Sequence, residues 1–493
     1  MTNCKNYLAA DLGAGSGRVI LGQLQDNKLT LKEIHRFNNE TVTIDNHYYW
    51  NILQLFTDIK RGIELALKEG VKISSISVDA WGVDFALLGS DGQLLSNPHT
   101  YRDPRTNQMQ EKMNSLINER EAYQRTGIQS MFFNTTLQLL GMHNKNDPTL
   151  ELADSLLFIP DLLNYFLCGE KVSELSIAST SQFLNSENSQ WDENLIDRLN
   201  IKKTLFQKIV PTGSIIGKIK PEITNDLKCN TFSVIASAGH DTQAAIASVP
   251  ASGYDHIYLS SGTWSIIGVE CDEAQTGELS QKLGFSNEKG VAGKTNLLKN
   301  IMGMWLIQEC KRIWDRDSEN NDYETLIELA ANAPALKSIL NLDDECFIAP
   351  IDMPQTIVDF CKKTQQNVPD NKGTIIRCII DSLALKYRQS AEQLAQITGQ
   401  TFNNLHIVGG GIQNQLLCQL SSDAIGCTVI AGPIEATAAG NILIQAIAMG
   451  DIESLNQGRE IIRSSFSVKT YQPMGQLNWD EAYQKMIGLS EKT

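Results

Sequence analysis

The stretch Tyr7–Leu24, YLAADLGAGSGRVILGQL, sets three alternate glycines (Gly13, Gly15, Gly17) between two apolar runs of strand character. Glycine permits a tight reversal and lets a ligand approach the main chain, while the Val, Ile and Leu residues around it favour extended backbone. Further along, HIYLSSGTWSIIGVE has the same design: apolar strand, a turn at Ser260, Ser261, Gly262 and Thr263, apolar strand. A chain of 493 residues exceeds one hydrophobic core. One such hairpin opening each half predicts a duplicated, two-domain α/β protein rather than a strict βαβ series.

Glycines at this spacing raise the question of which phosphate site is present. A dinucleotide loop needs G-x-G-x-x-G running directly into a helix. Here Arg18 holds the position of the third glycine, and Val19, Ile20 and Leu21 continue as strand. The P-loop string G-x-x-x-x-G-K-[ST] is absent. What remains is a β-hairpin that offers turn amides and hydroxyls to a phosphate, with Asp11 at its entrance. A carboxylate facing a polyphosphate requires a cation between them, and Mg²⁺, held by few protein oxygens, suits that place. Arg18 is placed to neutralise charge on a transferring phosphoryl group.

Other segments supply further candidates. VGGG (Gly409, Gly410, Gly411) follows an apolar strand and precedes a helix opening near Asn414. SAGHDTQAA sets His240, Asp241 and Thr242 at a strand-to-helix junction. A helix N-terminus there favours the ionised, base-competent form of Asp241, although the residue reads equally well as a plain cap. VDAWGVDF contributes Asp79, Trp81, Gly82 and Asp84, either as a site a ligand approaches closely at Gly82 or as an ordinary exposed turn. TYRDPRT reads as a salt-bridged loop, and residues 110–230 as mainly helical.

A net charge of −15 excludes a nucleic-acid or anionic-membrane partner as the main business of the chain. The ten cysteines form no CxxC pair, and only Cys418 and Cys427 are spaced to suggest joint metal or disulfide chemistry. The opening MTNCKNYLAADLG has no secretory pattern, so a reducing, cytoplasmic location is expected.

The glycine hairpin with Asp11, WGVD, AGHDT, SSGTW and VGGG occur together in one order. In that order the chain resembles the FGGY carbohydrate kinases over essentially its whole length. The resemblance implies the two-domain α/β ATPase fold of actin, hexokinase and Hsp70. That fold consists of duplicated ribonuclease H-like domains with an active-site cleft between them. Residues 1–245 would then bind sugar and phosphate, and residues 246–493 nucleotide. Ala14, Gly15, Ser16, Gly17 and Arg18 would contact the ATP phosphates, and Asp11 would face Mg²⁺. Gly82, His240, Asp241 and Thr242 would bind a ketose, with Asp241 as general base. Thr263, Asn300, Gln308 and Gly410 would bind nucleotide. Gly15 stands where close members carry serine. The segments LKEIHRFNN, YRDPRTN, LLKNIMGMWLIQ and VIAGPIEATAAGNI are most similar to members acting at the 1-hydroxyl of L-rhamnulose. L-Fuculose and L-xylulose are the alternative ketoses, and a nucleotide-dependent regulator on the same fold is the alternative class. A monomer or weak homodimer is expected.

Overall fold

The computed structural model describes residues 4–253, 255–316 and 322–490. The chain divides into two compact units. The first comprises Met1–Ser252, Glu270–Leu297 and Ala436–Phe466; the second comprises Gly253–Val269, Leu298–Glu435 and Ser467–Thr493.

The first unit is built on β1 (Lys5–Leu12), β2 (Ser16–Gln25), β3 (Lys28–Asn38), β4 (Ile73–Asp79), β5 (Ser214–Lys218) and β6 (Ser233–Ala236). Their order in the sheet is β3-β2-β1-β4-β6-β5. The β3/β2, β2/β1 and β6/β5 pairs are antiparallel, while β1/β4 and β4/β6 are parallel. Asp26 and Asn27 close the β2–β3 hairpin with φ of 52° and 56°, as a two-residue turn of the type matching strand twist requires.

Strand periodicity then decides the packing. On β1, Leu8, Ala10 and Leu12 share a core with Ile59 and Ile63 of the helix Ile52–Lys68. The alternate residues Tyr7 and Ala9 share a different core with Ala438, Ala439 and Ile442 of the helix Ala436–Ala448. A strand buried on both faces reads as a nearly continuous apolar run, as YLAADL does, interrupted only by Asp11. Ile59 and Ile63 are wholly buried, and burial of each such side chain contributes roughly 1.5–3 kcal/mol. A third core joins segments between Phe85 and Leu205, overlapping the region 110–230 expected to be mainly helical.

The second unit is built on β7 (His256–Ser261), β8 (Trp264–Cys271), β9 (Thr295–Met302), β10 (Asn404–Val408), β11 (Thr428–Ala431) and β12 (Lys469–Tyr471). These six run in the order β9-β8-β7-β10-β11-β12. β8/β7 and β11/β12 are antiparallel, and β7/β10 and β10/β11 parallel. The two units thus share one plan: a glycine hairpin, two parallel strands beside it, and an antiparallel edge strand. The duplication inferred from two hairpins is visible in the sheets themselves.

Candidate active site

In the first unit, Asp11 and Arg18 are direct cross-strand partners on β1 and β2. Their side chains pair at 2.5 Å, with Asp11 only 8% exposed. The turn beyond them is tied by Gly13 N–H to the Ser16 carbonyl at 2.8 Å and by Asn39 Nδ2–H to the Gly13 carbonyl at 2.8 Å. Gly15 is the exposed tip, and a Cβ added there would meet nothing within 4 Å. The departure from serine at this position therefore carries no packing cost.

The parallel strand β4 delivers Asp79 beside this hairpin, in register with Asp11. Asp79 is fully buried; Oδ2 accepts from Asn441 Nδ2–H, and Oδ1 has no hydrogen-bond partner. Burial, reinforced by the Asp11 charge, pushes the Asp79 carboxyl well above its ordinary value. Asn441 is set in turn by Gln445, whose Nε2 donates to Asn441 Oδ1 at 2.7 Å and to the Leu8 carbonyl at 2.8 Å.

Just past β4, Ala80 N–H donates to the Gly239 carbonyl and Asp241 N–H to the Ala80 carbonyl, both at 2.9 Å. This backbone clasp ties the chain just before the Gly82 turn to the run His240, Asp241 and Thr242. Glu174 fastens the same junction by accepting from Gly239 N–H at 2.9 Å. Asp241 Oδ1 accepts from Thr242 N–H at 2.6 Å and lies 3.4 Å from His240 Nε2.

Two expectations change here. His240, not Asp241, occupies the cap position, and Asp241 is the first residue of a helix only seven residues long. The helix terminus is not the main influence on its charge: burial raises the Asp241 carboxyl, His240 opposes, Asp11 adds to the rise, and the helix-terminal Thr242 N–H opposes it less strongly. The side chain keeps 33% exposure, so it can still be reached.

The WGVD segment, in turn, is no exposed turn. Asp84 is fully buried and accepts from Trp50 Nε1–H at 2.7 Å, Trp81 Nε1–H at 3.0 Å and Gln138 Nε2–H at 2.9 Å. Burial still lifts its carboxyl to about 6 against these donors. Two indoles give this carboxylate both cover and hydrogen bonds, so a polar residue becomes the centre of a packed knot. Gly82 stays half-buried, with Thr180 Oγ1 accepting from the neighbouring Val83 N–H at 3.0 Å.

In the second unit, Gly409 has φ of 88°, and a Cβ on Gly411 would overlap Ser261. Glycine is thus required for the triple-glycine turn to lie against the end of β7. Trp305 N–H donates to the Thr263 carbonyl at 3.1 Å, seating the helix Trp305–Arg316, which carries Gln308, on the hairpin turn. Thr263, Asn300 and Gly410 are exposed and Gln308 is half-buried.

Among the described residues, one group has the makings of a metal cluster: His47, His99 and Asp103, with ligand atoms within 4.8 Å. Asp103 already accepts from Tyr48 N–H at 2.8 Å, Arg105 N–H at 2.9 Å and the His47 ring at 3.0 Å. With its oxygens committed and the buried Arg105 alongside, this group is a clasp between loops. All ten cysteines are free thiols, Cys418 and Cys427 included. The sequence reading missed Glu174, Glu288, Gln243 and Asn441, whose partners at the junction are distant in the chain and meet them only through the fold.

No described helix is long and apolar enough to cross a membrane. Residues 6–248 match the N-terminal domain and residues 257–449 the C-terminal domain of the FGGY family of carbohydrate kinases. A rhamnulokinase of Bacteroides thetaiotaomicron is 43% identical over 479 residues, covering 97% of this chain and 98% of that protein. A rhamnulokinase of Oceanobacillus iheyensis is 40% identical, covering 94% and 97%. The fold matches a ligand-bound xylulose kinase from Lactobacillus acidophilus with a TM-score of 0.84 at 18% identity, over 99% of this chain and 98% of that one. It also matches Plasmodium falciparum glycerol kinase with ADP, with a TM-score of 0.80 at 15% identity, over 99% and 97%. The chain belongs to the FGGY family of carbohydrate kinases.

Proposed function

We propose that the chain transfers the γ-phosphoryl group of ATP to the 1-hydroxyl of L-rhamnulose, yielding L-rhamnulose 1-phosphate and ADP. The observation that carries this reading is identity of 43% and 40%, over nearly the full length, to proteins named rhamnulokinase. The geometry supports the chemistry. Asp241 takes the proton from the sugar 1-hydroxyl as that oxygen bonds to the γ-phosphorus and the bridging bond to ADP breaks. Its raised carboxyl moves toward the pH at which the base must work. Gly82, His240 and Thr242 hold the ketose. The hairpin residues Ala14 to Gly17 and Arg18 hold the phosphates, and Thr263, Asn300, Gln308 and Gly410 hold the nucleotide.

The residues also fit a divalent cation. Asp79 has an orphaned buried oxygen, and the charge of Asp11 beside it adds to the rise of its carboxyl, so a cation at this point would relieve both. Mg²⁺ keeps most of its waters and takes one or two carboxylates, so it needs no dense ligand cluster. Asp11 would hold it, and its chemistry there is neutralisation of phosphate charge.

A panel of L-rhamnulose, L-fuculose and L-xylulose in an ADP-release assay tests the substrate. L-Rhamnulose is expected to have the highest kcat/KM by at least about tenfold, the effect of one well-made or missing hydrogen bond. Equal values across the panel would reject the assignment, and no sugar-dependent release would point to a regulator.

A further inference from the structure

Glu288 lies on the short strand Ser286–Lys289 and is 8% exposed. Its Oε2 is 2.9 Å from His240 Nδ1 and accepts from Gln243 Nε2–H at 2.8 Å. Gln243 Oε1 in turn accepts from Asn296 Nδ2–H. The carboxylate is therefore held by a buried amide chain and aimed at one ring nitrogen. The other ring nitrogen, Nε2, lies 3.4 Å from Asp241 Oδ1. His240 is thus a ring set between two carboxylates, one structural and one beside the reacting hydroxyl.

We propose that Glu288 is the positioning residue for the ketose: it holds His240 with both ring nitrogens protonated and presents Nε2–H, a charged donor, to a sugar oxygen beside Asp241. The inference rests on reading His240 as a sugar contact. Three charged groups face the ring: Glu288 from its strand, Asp241 from the same helix, and Glu174 from the start of the helix Leu175–Ser179. Burial pulls His240 down, but Glu288, by charge and hydrogen bond, and then Asp241 and Glu174 carry it to about 9. Without Glu288 a neutral ring would be free to change tautomer and offer Nε2 as an acceptor instead. A fixed, charged donor discriminates by demanding an oxygen lone pair at that point of the substrate.

The stability sign is definite. A histidine raised from 6.5 to about 9 adds stability that is fully present below 6.5 and lost as pH rises through about 9.

The test is Glu288→Gln, which keeps shape and removes charge, with Glu288→Asp as the charge-preserving companion. Histidine-labelled protein is titrated by NMR without substrate, the His240 signal being assigned by its loss in His240→Asn. In parallel, KM and kcat are measured for the ketose from pH 6 to 9.5. The His240 midpoint is expected near 9 in the parent, lower by more than one pH unit in Glu288→Gln, and still raised in Glu288→Asp. At pH 8, KM for the ketose rises about 10- to 100-fold in Glu288→Gln, the effect of losing a charged hydrogen bond. It recovers at pH 6, where the ring is protonated again, while kcat and KM for ATP change little. An unshifted His240 midpoint, or a KM defect that is the same at every pH, would overturn the proposal. If the parent enzyme phosphorylates no ketose, the functional reading fails, yet the titration still decides whether Glu288 sets the state of His240.

Discussion

Asp241→Asn is expected to lower turnover by about 10²–10⁴ while nucleotide affinity stays near that of the parent. Asparagine matches aspartate in size, and its Oδ1 can still accept the Thr242 N–H that Asp241 Oδ1 accepts at 2.6 Å. What it cannot do is take a proton from the sugar hydroxyl. The substitution removes the burial penalty and the Asp11 repulsion that raise Asp241, which together outweigh the lost attraction to His240, so the folded state is not weakened by it. Loss of turnover without loss of stability is therefore the signature of a base and not of a structural residue. In the parent, the acidic limb of kcat should sit above that of an ordinary aspartate, because the base is protonated earlier as pH falls. Steady-state kinetics with calorimetric nucleotide binding measure both quantities. Near-normal turnover would remove Asp241 from the role of base.

Gly440→Ala carries the largest expected effect on the fold. Gly440 lies in the helix Ala436–Ala448, and an added Cβ would fall 1.8 Å from the Ala244 carbonyl oxygen. That oxygen belongs to the backbone of the helix Asp241–Ala247, so no side chain can rotate away and the two helices must separate. Alanine favours a helix interior over glycine by about 1 kcal/mol, but overpacking of this severity costs about 3 kcal/mol. The net expectation is a loss of about 2 kcal/mol in chemical denaturation. The displaced helix begins with Asp241, so turnover should fall as well. Unchanged stability would show that the two helices are not in close contact.

How much of this was legible before folding differs residue by residue. The two hairpins, the strand before the triple glycine, and the alanine-rich helix after Glu435 were all readable, because glycine spacing and apolar periodicity are local properties. Asp11 and Arg18 could be named from one turn. Their pairing with each other, at 2.5 Å, follows from hairpin register, which sequence spacing alone does not fix.

The buried carboxylates were much less legible. Asp84 reads as a turn residue until Trp50 and Gln138, from other elements, close over it. Asp79 acquires its partner from Asn441, across most of the chain. Glu288 sits in NEKG, a string that by itself describes a solvated loop, and only the fold sets it against His240. Desolvation and charge pairing are long-range properties, and these set the chemistry of the site.

The most direct test of the account is the product itself. ATP and L-rhamnulose incubated with the enzyme should yield a single phosphomonoester whose ³¹P resonance is coupled to the C1 protons. A phosphoryl group on any other carbon, or ATP consumed without a phosphorylated sugar, would contradict it.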